Sequence, residues 1–139
     1  MRIYAFFFYF LLSHAVFAAD WVVIVHPNSG VEKLSKNEVV NIFMGRYRKF
    51  PSGQNAVPLD IISPPTDREQ FYKFLLNKEL ADVDAYWARL KFSGQVAPPT
   101  PVDDTDIVLN MVANHVGYIA YCDKKKINSK VKVVLDLSL

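Results

Sequence analysis

The sequence predicts an α/β fold: a mixed, mainly parallel sheet of about four to five strands flanked by helices. Three observations point there. Short apolar runs suited to strands alternate with stretches whose apolar residues recur at helical spacing. A helix-start signal at Thr66 and Glu69 follows directly on the end of the second strand, as in a strand–helix unit. Ser35 and Glu38 and then Gly45 bound one such helix sharply at both ends.

The 139-residue chain opens on a segment that does not belong to the domain. Arg2 precedes the apolar run 3–12, and a less apolar stretch ends at Val16, Phe17 and Ala18. One positive charge, about ten apolar residues and a small residue at the cut describe a secretory signal peptide over 1–18. The run falls short of the ~20 residues that a spanning helix needs. No cysteine stands at the expected cut, so a lipid anchor is not expected. The expectation is a periplasmic protein with one domain over residues 19–139 and no membrane attachment after cleavage.

Sixteen Lys and Arg face 14 Asp and Glu, for a net charge of +2, and loss of Arg2 with the leader leaves about +1. That balance gives no bulk electrostatic reason to expect nucleic acid. Cys122 is the single cysteine, so no intrachain disulfide is possible. At the end of an apolar strand it reads as a buried thiol.

The elements follow in order. Residues 21–25 form a continuous apolar run, as in a strand covered on both faces, and 26–30 end it with turn residues. Ser35 and Glu38 make a capping box, Val39, Ile42 and Phe43 share one helix face, and Gly45 supplies a left-handed exit. The loop 46–50 follows, with Arg46, Arg48 and Lys49 interleaved with Tyr47 and Phe50. It reads as a solvated loop whose aromatics pack inward. Residues 57–62 read as a second strand, with Pro58 at its start.

Thr66 and Glu69 repeat the capping-box spacing before a helix with Phe71, Phe74 and Leu75 as its buried stripe. Leu80, Val83, Trp87 and Leu90 lie on one face of a third helix, which ends at 92–94. Residues 97–101 form a stiff extended connector. Asp103 or Asp104 caps a fourth helix with Ile107, Val108, Met111 and Val112 inward. Residues 117–121 give a third strand, and 131–135 a final strand nearer an edge.

Catalytic and metal signatures are missing from this pattern. His26 and His115 stand apart from any cysteine or second histidine, so no metal site is expected. No Gly-x-Ser-x-Gly elbow, phosphate-binding Gly-rich loop or dinucleotide fingerprint occurs. Asp103, Asp104 and Asp106 meet the positive end of a helix dipole and need no catalytic explanation. The sequence reads as a non-enzyme without a cofactor.

The turn after the second strand is the candidate binding element. In open α/β sheets ligands sit beyond the carboxyl ends of strands, where helix N-termini present free N–H groups. Ser63, Thr66 and Arg68 would hold a small oxyanion there, with Asn28 and Ser29, at the end of the first strand, expected nearby. The competing reading is that Thr66 only caps its helix and Asp67 competes with any anion.

The pattern Leu34, Ser35, Glu38, Val39, Val40, Ile42, Phe43 and Gly45, then Arg68, Glu69, Phe71 and Tyr72, then Tyr86 to Gly94, then Val116 to Ile119, resembles the periplasmic phosphate-binding proteins of ABC importers. It is most similar to small, single-lobe relatives of that family. The resemblance implies one lobe of a type II periplasmic binding protein, and phosphate or a similar small anion, together with an ABC permease, as partners. Full-length members close two lobes over phosphate and contact it through a Gly-Ser-rich turn. Here that turn is residues 63–68, and its prolines contribute no N–H donors. The alternative is a non-transport module that uses the lobe to bind another envelope protein.

Overall fold

The computed structural model describes residues 19–94 and 96–138; the expected signal peptide lies outside them. The chain runs β1 (Trp21–Val25), α1 (Lys36–Phe43), β2 (Val57–Ile61), α2 (Pro65–Leu76), α3 (Leu80–Lys91), β3 (Thr100–Val102), α4 (Thr105–Asn114), β4 (Tyr118–Asp123) and β5 (Lys132–Asp136), with a 3-10 turn at Lys124–Lys126 between the last two strands. The five strands form one sheet in the order β3-β2-β4-β1-β5. β2 pairs parallel with β3 and with β4. β1 pairs antiparallel with β4 and with β5. Four strands therefore share one direction, and β1 alone is reversed.

Every residue of β1 is buried, so both faces of the sheet centre are covered. On one face Phe43 of α1 and Phe71 of α2 reach the ring of Tyr121 in β4. On the other lies α4, which packs against β4, β1 and β2. β5 forms one edge, as its partial alternation predicts, and β3 forms the other.

Local signals behave as chemistry requires. Ser35 Oγ accepts from the Glu38 amide at 3.1 Å, and Gly45 leaves α1 with φ +78°. Asp104 caps α4 by accepting from the Ile107 amide at 3.0 Å. Val83 and Trp87 are the buried positions of α3, with Leu80 and Leu90 half-buried beside them. Cys122 is buried, and burial above all pushes its thiol up to about 12.

Five expectations need correction. The proline-rich connector contributes β3, an edge strand that tolerates Pro101 because its outer side needs no donor. Thr66 does not cap α2: Pro64 occupies the cap position, Pro65 starts the helix, and no side chain caps it. Tyr72, not Phe74, joins Phe71 and Leu75 in the buried stripe, and Phe74 is 44% exposed. In α4 Ile107 faces outward, and Thr105 and Leu109 are buried with Val108 and Val112. In the basic loop Phe50 packs inward, whereas Tyr47 is half-exposed.

Candidate functional site

The sheet directions decide which of the candidate residues meet. Val25, at the end of β1, lies opposite Ile119, which in turn lies opposite Pro58 near the start of β2. The carboxyl end of β1 therefore sits at the amino end of β2. Asn28 and Ser29 are at one end of the sheet, and Ser63, Thr66 and Arg68 are at the other. The expected convergence of these five residues does not occur, because β1 is the reversed strand.

Asn28 and Ser29 belong to a turn that is bonded within itself. The Asn28 amide donates to His26 Nδ1 at 2.9 Å. Ser29 is fully buried: its Oγ accepts from the Val31 amide at 3.3 Å, and its carbonyl accepts from Ser52 Oγ at 3.3 Å. These contacts hold the loop 26–31 against the tip of the 51–53 turn.

At the opposite end, α2 starts just beyond β2. The Ile62 and Ser63 amides are consumed by the carbonyls of Val102 and Asp103, which tie the turn to β3. Pro64 and Pro65 have no N–H to offer. The Asp67 amide closes on Pro64 O at 3.1 Å. Among the described residues, the Thr66 amide and the exposed Ser63 and Thr66 hydroxyls have no hydrogen-bond partner. They are the free donors at this helix start. Asp67, in the first turn, faces Lys126 and Asp123; burial chiefly, and then Asp123, raises its carboxyl above the ordinary range against the pull of Lys126.

Arg68 points back to the sheet. Its Nε donates to Asp60 Oδ2 at 2.8 Å, and its Nη1 to Asp84 Oδ1 at 3.0 Å. Burial works against the guanidinium charge, and the bonds to Asp60 and Asp84 more than offset it. Asp60, the next-to-last residue of β2, is 5% exposed. Its Oδ1 accepts from the Tyr121 hydroxyl at 2.5 Å, and its Oδ2 also accepts from the Tyr72 hydroxyl at 3.2 Å. The Tyr121 oxygen in turn accepts from the Ile61 amide at 3.0 Å. Burial first, and the Asp60 carboxylate second, raise both phenols above their ordinary range, so both remain donors. A buried carboxylate costs several kcal/mol unless it is paired and bonded, and these three donors meet that need.

This network opens onto a notch of ≈ 350 Å³ lined by Asp60, Arg68, Ile62, Leu80 and prolines that include Pro65 and Pro101. One guanidinium faces two carboxylates, so the notch is not strongly positive. Sequence reasoning found Arg68 but not Asp60, Tyr72, Tyr121 or Asp84. The available signal was a carboxylate between Leu59 and Ile61 in an apolar strand, a setting that demands partners.

A second cleft of ≈ 580 Å³ lies at the other end of the sheet, lined by Gly45, Tyr47, Arg48, Asn55, Val57 and Val96 among others. It carries the basic loop. Phe92, which is 94% exposed, stands two residues before Gly94 on its rim.

No protein-family model matches the chain, and no curated protein matches its sequence. Solved structures do. The crystal structure of an ABC-type phosphate transport receptor from Vibrio cholerae matches with a TM-score of 0.66 at 14% identity, over 84% of this chain and 45% of that one. A putative phosphate ABC transporter substrate-binding protein with bound phosphate from Clostridium perfringens matches with a TM-score of 0.65 at 14% identity, over 84% and 44%. The chain shares the α/β fold of part of these two proteins and spans less than half the length of either.

Proposed function

We propose that this chain is a periplasmic solute-binding-type lobe, related to the substrate-binding components of phosphate ABC importers and delivered by an N-terminal signal peptide. Its ligand is a small oxyanion such as phosphate, taken at the start of α2. One observation carries the reading. Among the described residues, the Thr66 amide and the Ser63 and Thr66 hydroxyls are unpartnered at a helix N-terminus beyond the carboxyl end of β2. The two solved phosphate-transport proteins that share the fold support the same ligand class.

The reading also sets the expected strength. Two prolines remove amide donors, and Asp60 and Asp84 neutralise the arginine. Affinity in the millimolar range follows, equivalent to about 4 kcal/mol. Calorimetric titration with phosphate and with sulfate measures it. Thr66→Ala and Ser63→Ala are the variants to compare, because neither residue supports the core. Absence of heat at ten-fold millimolar ligand, or heat unchanged in both variants, would refute the reading.

A second reading is a non-transport module that binds another envelope protein. It is favoured by the basic loop, by Tyr47 standing exposed in the larger cleft, and by the exposed Phe92 two residues before Gly94 of its lining. Capture from envelope extract separates the two: replacing Arg46, Arg48 and Lys49 with alanine abolishes recovery of a partner only under this second reading.

A further inference from the structure

The geometry points to a self-occupied oxyanion receptor inside the lobe: the Tyr121 hydroxyl, the Tyr72 hydroxyl and Arg68 Nε form a cradle for a small carboxylate or oxyanion, and the chain's own Asp60 carboxylate is its resident occupant. This deepens the proposed anion-binding reading, because Asp60 then limits what Arg68 offers to an incoming ion.

Three features carry it. The donors come from two different elements, α2 and β4, and converge on one carboxylate carried by a third, β2. That is the arrangement of a receptor and its ligand, not of a local turn or cap. Both oxygens of the carboxylate are engaged: Oδ1 takes one phenol at 2.5 Å, and Oδ2 takes the guanidinium at 2.8 Å and the second phenol at 3.2 Å.

The cradle is also held independently of its occupant. Phe71 stacks on Tyr121, Phe71 packs edge-on against Tyr72, and the Arg68 guanidinium lies 5.4 Å over the Tyr72 ring while Asp84 holds its other edge. Finally, Asp60 and Arg68 both line the ≈ 350 Å³ notch, so removing the Asp60 side chain connects the cradle to solvent. Charge-assisted hydrogen bonds to both oxygens of a carboxylate, from donors already held in place, are stronger than bonds between neutral groups.

The test is anion rescue of Asp60→Ala. The purified variant is expected to melt well below wild type, and millimolar formate or acetate should raise its midpoint saturably by at least about 3 °C. Sodium chloride at equal ionic strength should not. Wild type and Asp60→Asn, which keep the cradle filled, should show no carboxylate-specific shift. Adding Tyr121→Phe to Asp60→Ala should remove most of the rescue. If Asp60→Ala does not fold alone, refolding from urea is followed by tryptophan fluorescence, since Trp21 packs edge-on against Tyr121; recovery in formate and not in chloride supports the cradle.

A midpoint or refolding yield that ignores formate, or that follows chloride equally, overturns the inference. Failure here is separable from failure of the proposed function. Phosphate heat in wild type that depends on Thr66 can persist with no rescue in Asp60→Ala, and rescue can appear where wild type takes up no phosphate.

Discussion

The Phe71 ring lies face to face on the Tyr121 ring, with centroids 3.7 Å apart and planes 5° apart. The stack fixes the direction of the phenol, whose hydroxyl both donates to Asp60 and accepts from the Ile61 amide. Apolar packing between α2 and β4 thus aims the polar group that satisfies the carboxylate of β2. Tyr121→Phe keeps the stack and removes both bonds. It leaves a buried charge short of one donor and a buried N–H with no acceptor. The expected loss is about 2–4 kcal/mol by urea denaturation. Phe71→Ala, which removes the stack itself, should cost about 3–5 kcal/mol. A Tyr121→Phe protein as stable as wild type would mean that water or another group supplies what the hydroxyl gives.

Arg68 has two carboxylate partners that differ in their surroundings. The Asp60 side chain is 7% exposed and that of Asp84 is 58% exposed. Desolvation decides their weights. Asp84→Ala removes a solvent-screened pair and should cost about 0–1 kcal/mol. Arg68→Ala strands the buried Asp60 charge and should cost about 3–5 kcal/mol. Arg68→Lys should not restore the loss, since an ammonium cannot bridge both carboxylates with a planar fork. Equal effects of Asp84→Ala and Arg68→Ala in thermal melts would contradict this ranking. The same inequality explains why Ser63 and Thr66, and not Arg68, are the residues to vary in a phosphate titration.

What was legible in the sequence was local. The Ser35 cap, the Gly45 exit, the Asp104 cap and the burial of Cys122 each depend on a few neighbouring residues. The fold class was legible because strand and helix signals alternate, and the resemblance to phosphate-binding proteins pointed to the same lobe. The direction of β1 was not legible. A wholly apolar run says that both faces are covered, not which way the strand runs, and that direction parts Asn28 and Ser29 from Ser63. The pairing of Tyr72 with Asp60 was hidden for a similar reason. Helical spacing alone ranks Phe74 as a good core residue, and only a buried carboxylate on a neighbouring strand makes a tyrosine the better choice. Thr66 and Glu69 matched a capping box, but Pro64 and Pro65 had already set the helix start two residues earlier.

Gly45 offers a sharp test of packing at the end of α1. Its φ of +78° is strained for any residue with a Cβ. A Cβ there would also lie 2.5 Å from Val96 Cγ1 and 2.9 Å from Trp87 Cη2. Strain and overpacking act together, so Gly45→Ala should lower stability by about 2 kcal/mol or more in urea denaturation. Gly53 has a φ of +93° with nothing near a Cβ, so Gly53→Ala carries the backbone strain alone and should cost less. Similar losses in the two variants would show that Val96 and Trp87 move aside freely.

The pH response should be steepest on the alkaline side. Burial chiefly, with the neighbouring Asp123 charge adding, pushes the Cys122 thiol up to about 12. An unfolded thiol loses its proton near its ordinary value of about 8.5. Between those values the unfolded chain releases a proton that the folded chain keeps, so rising pH favours unfolding. The stability from the neutral thiol is complete below about pH 8.5 and declines toward pH 12, by at most about 1.4 kcal/mol per pH unit. Tyr121 and Tyr72, also raised by burial and then by Asp60, act with the same sign once unfolded tyrosines begin to ionise. On the acid side Asp136 acts oppositely. Ser138 Oγ above all, then Lys124, hold its carboxyl down to about 2. Its contribution is present above the ordinary carboxylate range and is lost as pH falls toward 2. Urea denaturation of wild type and Cys122→Ala from pH 7 to 10 isolates the thiol. Wild type should lose stability from pH 8.5 upward, and the variant should stay nearly flat until the tyrosines titrate near pH 10. Parallel curves for the two proteins would show that the Cys122 thiolate is tolerated in the folded strand.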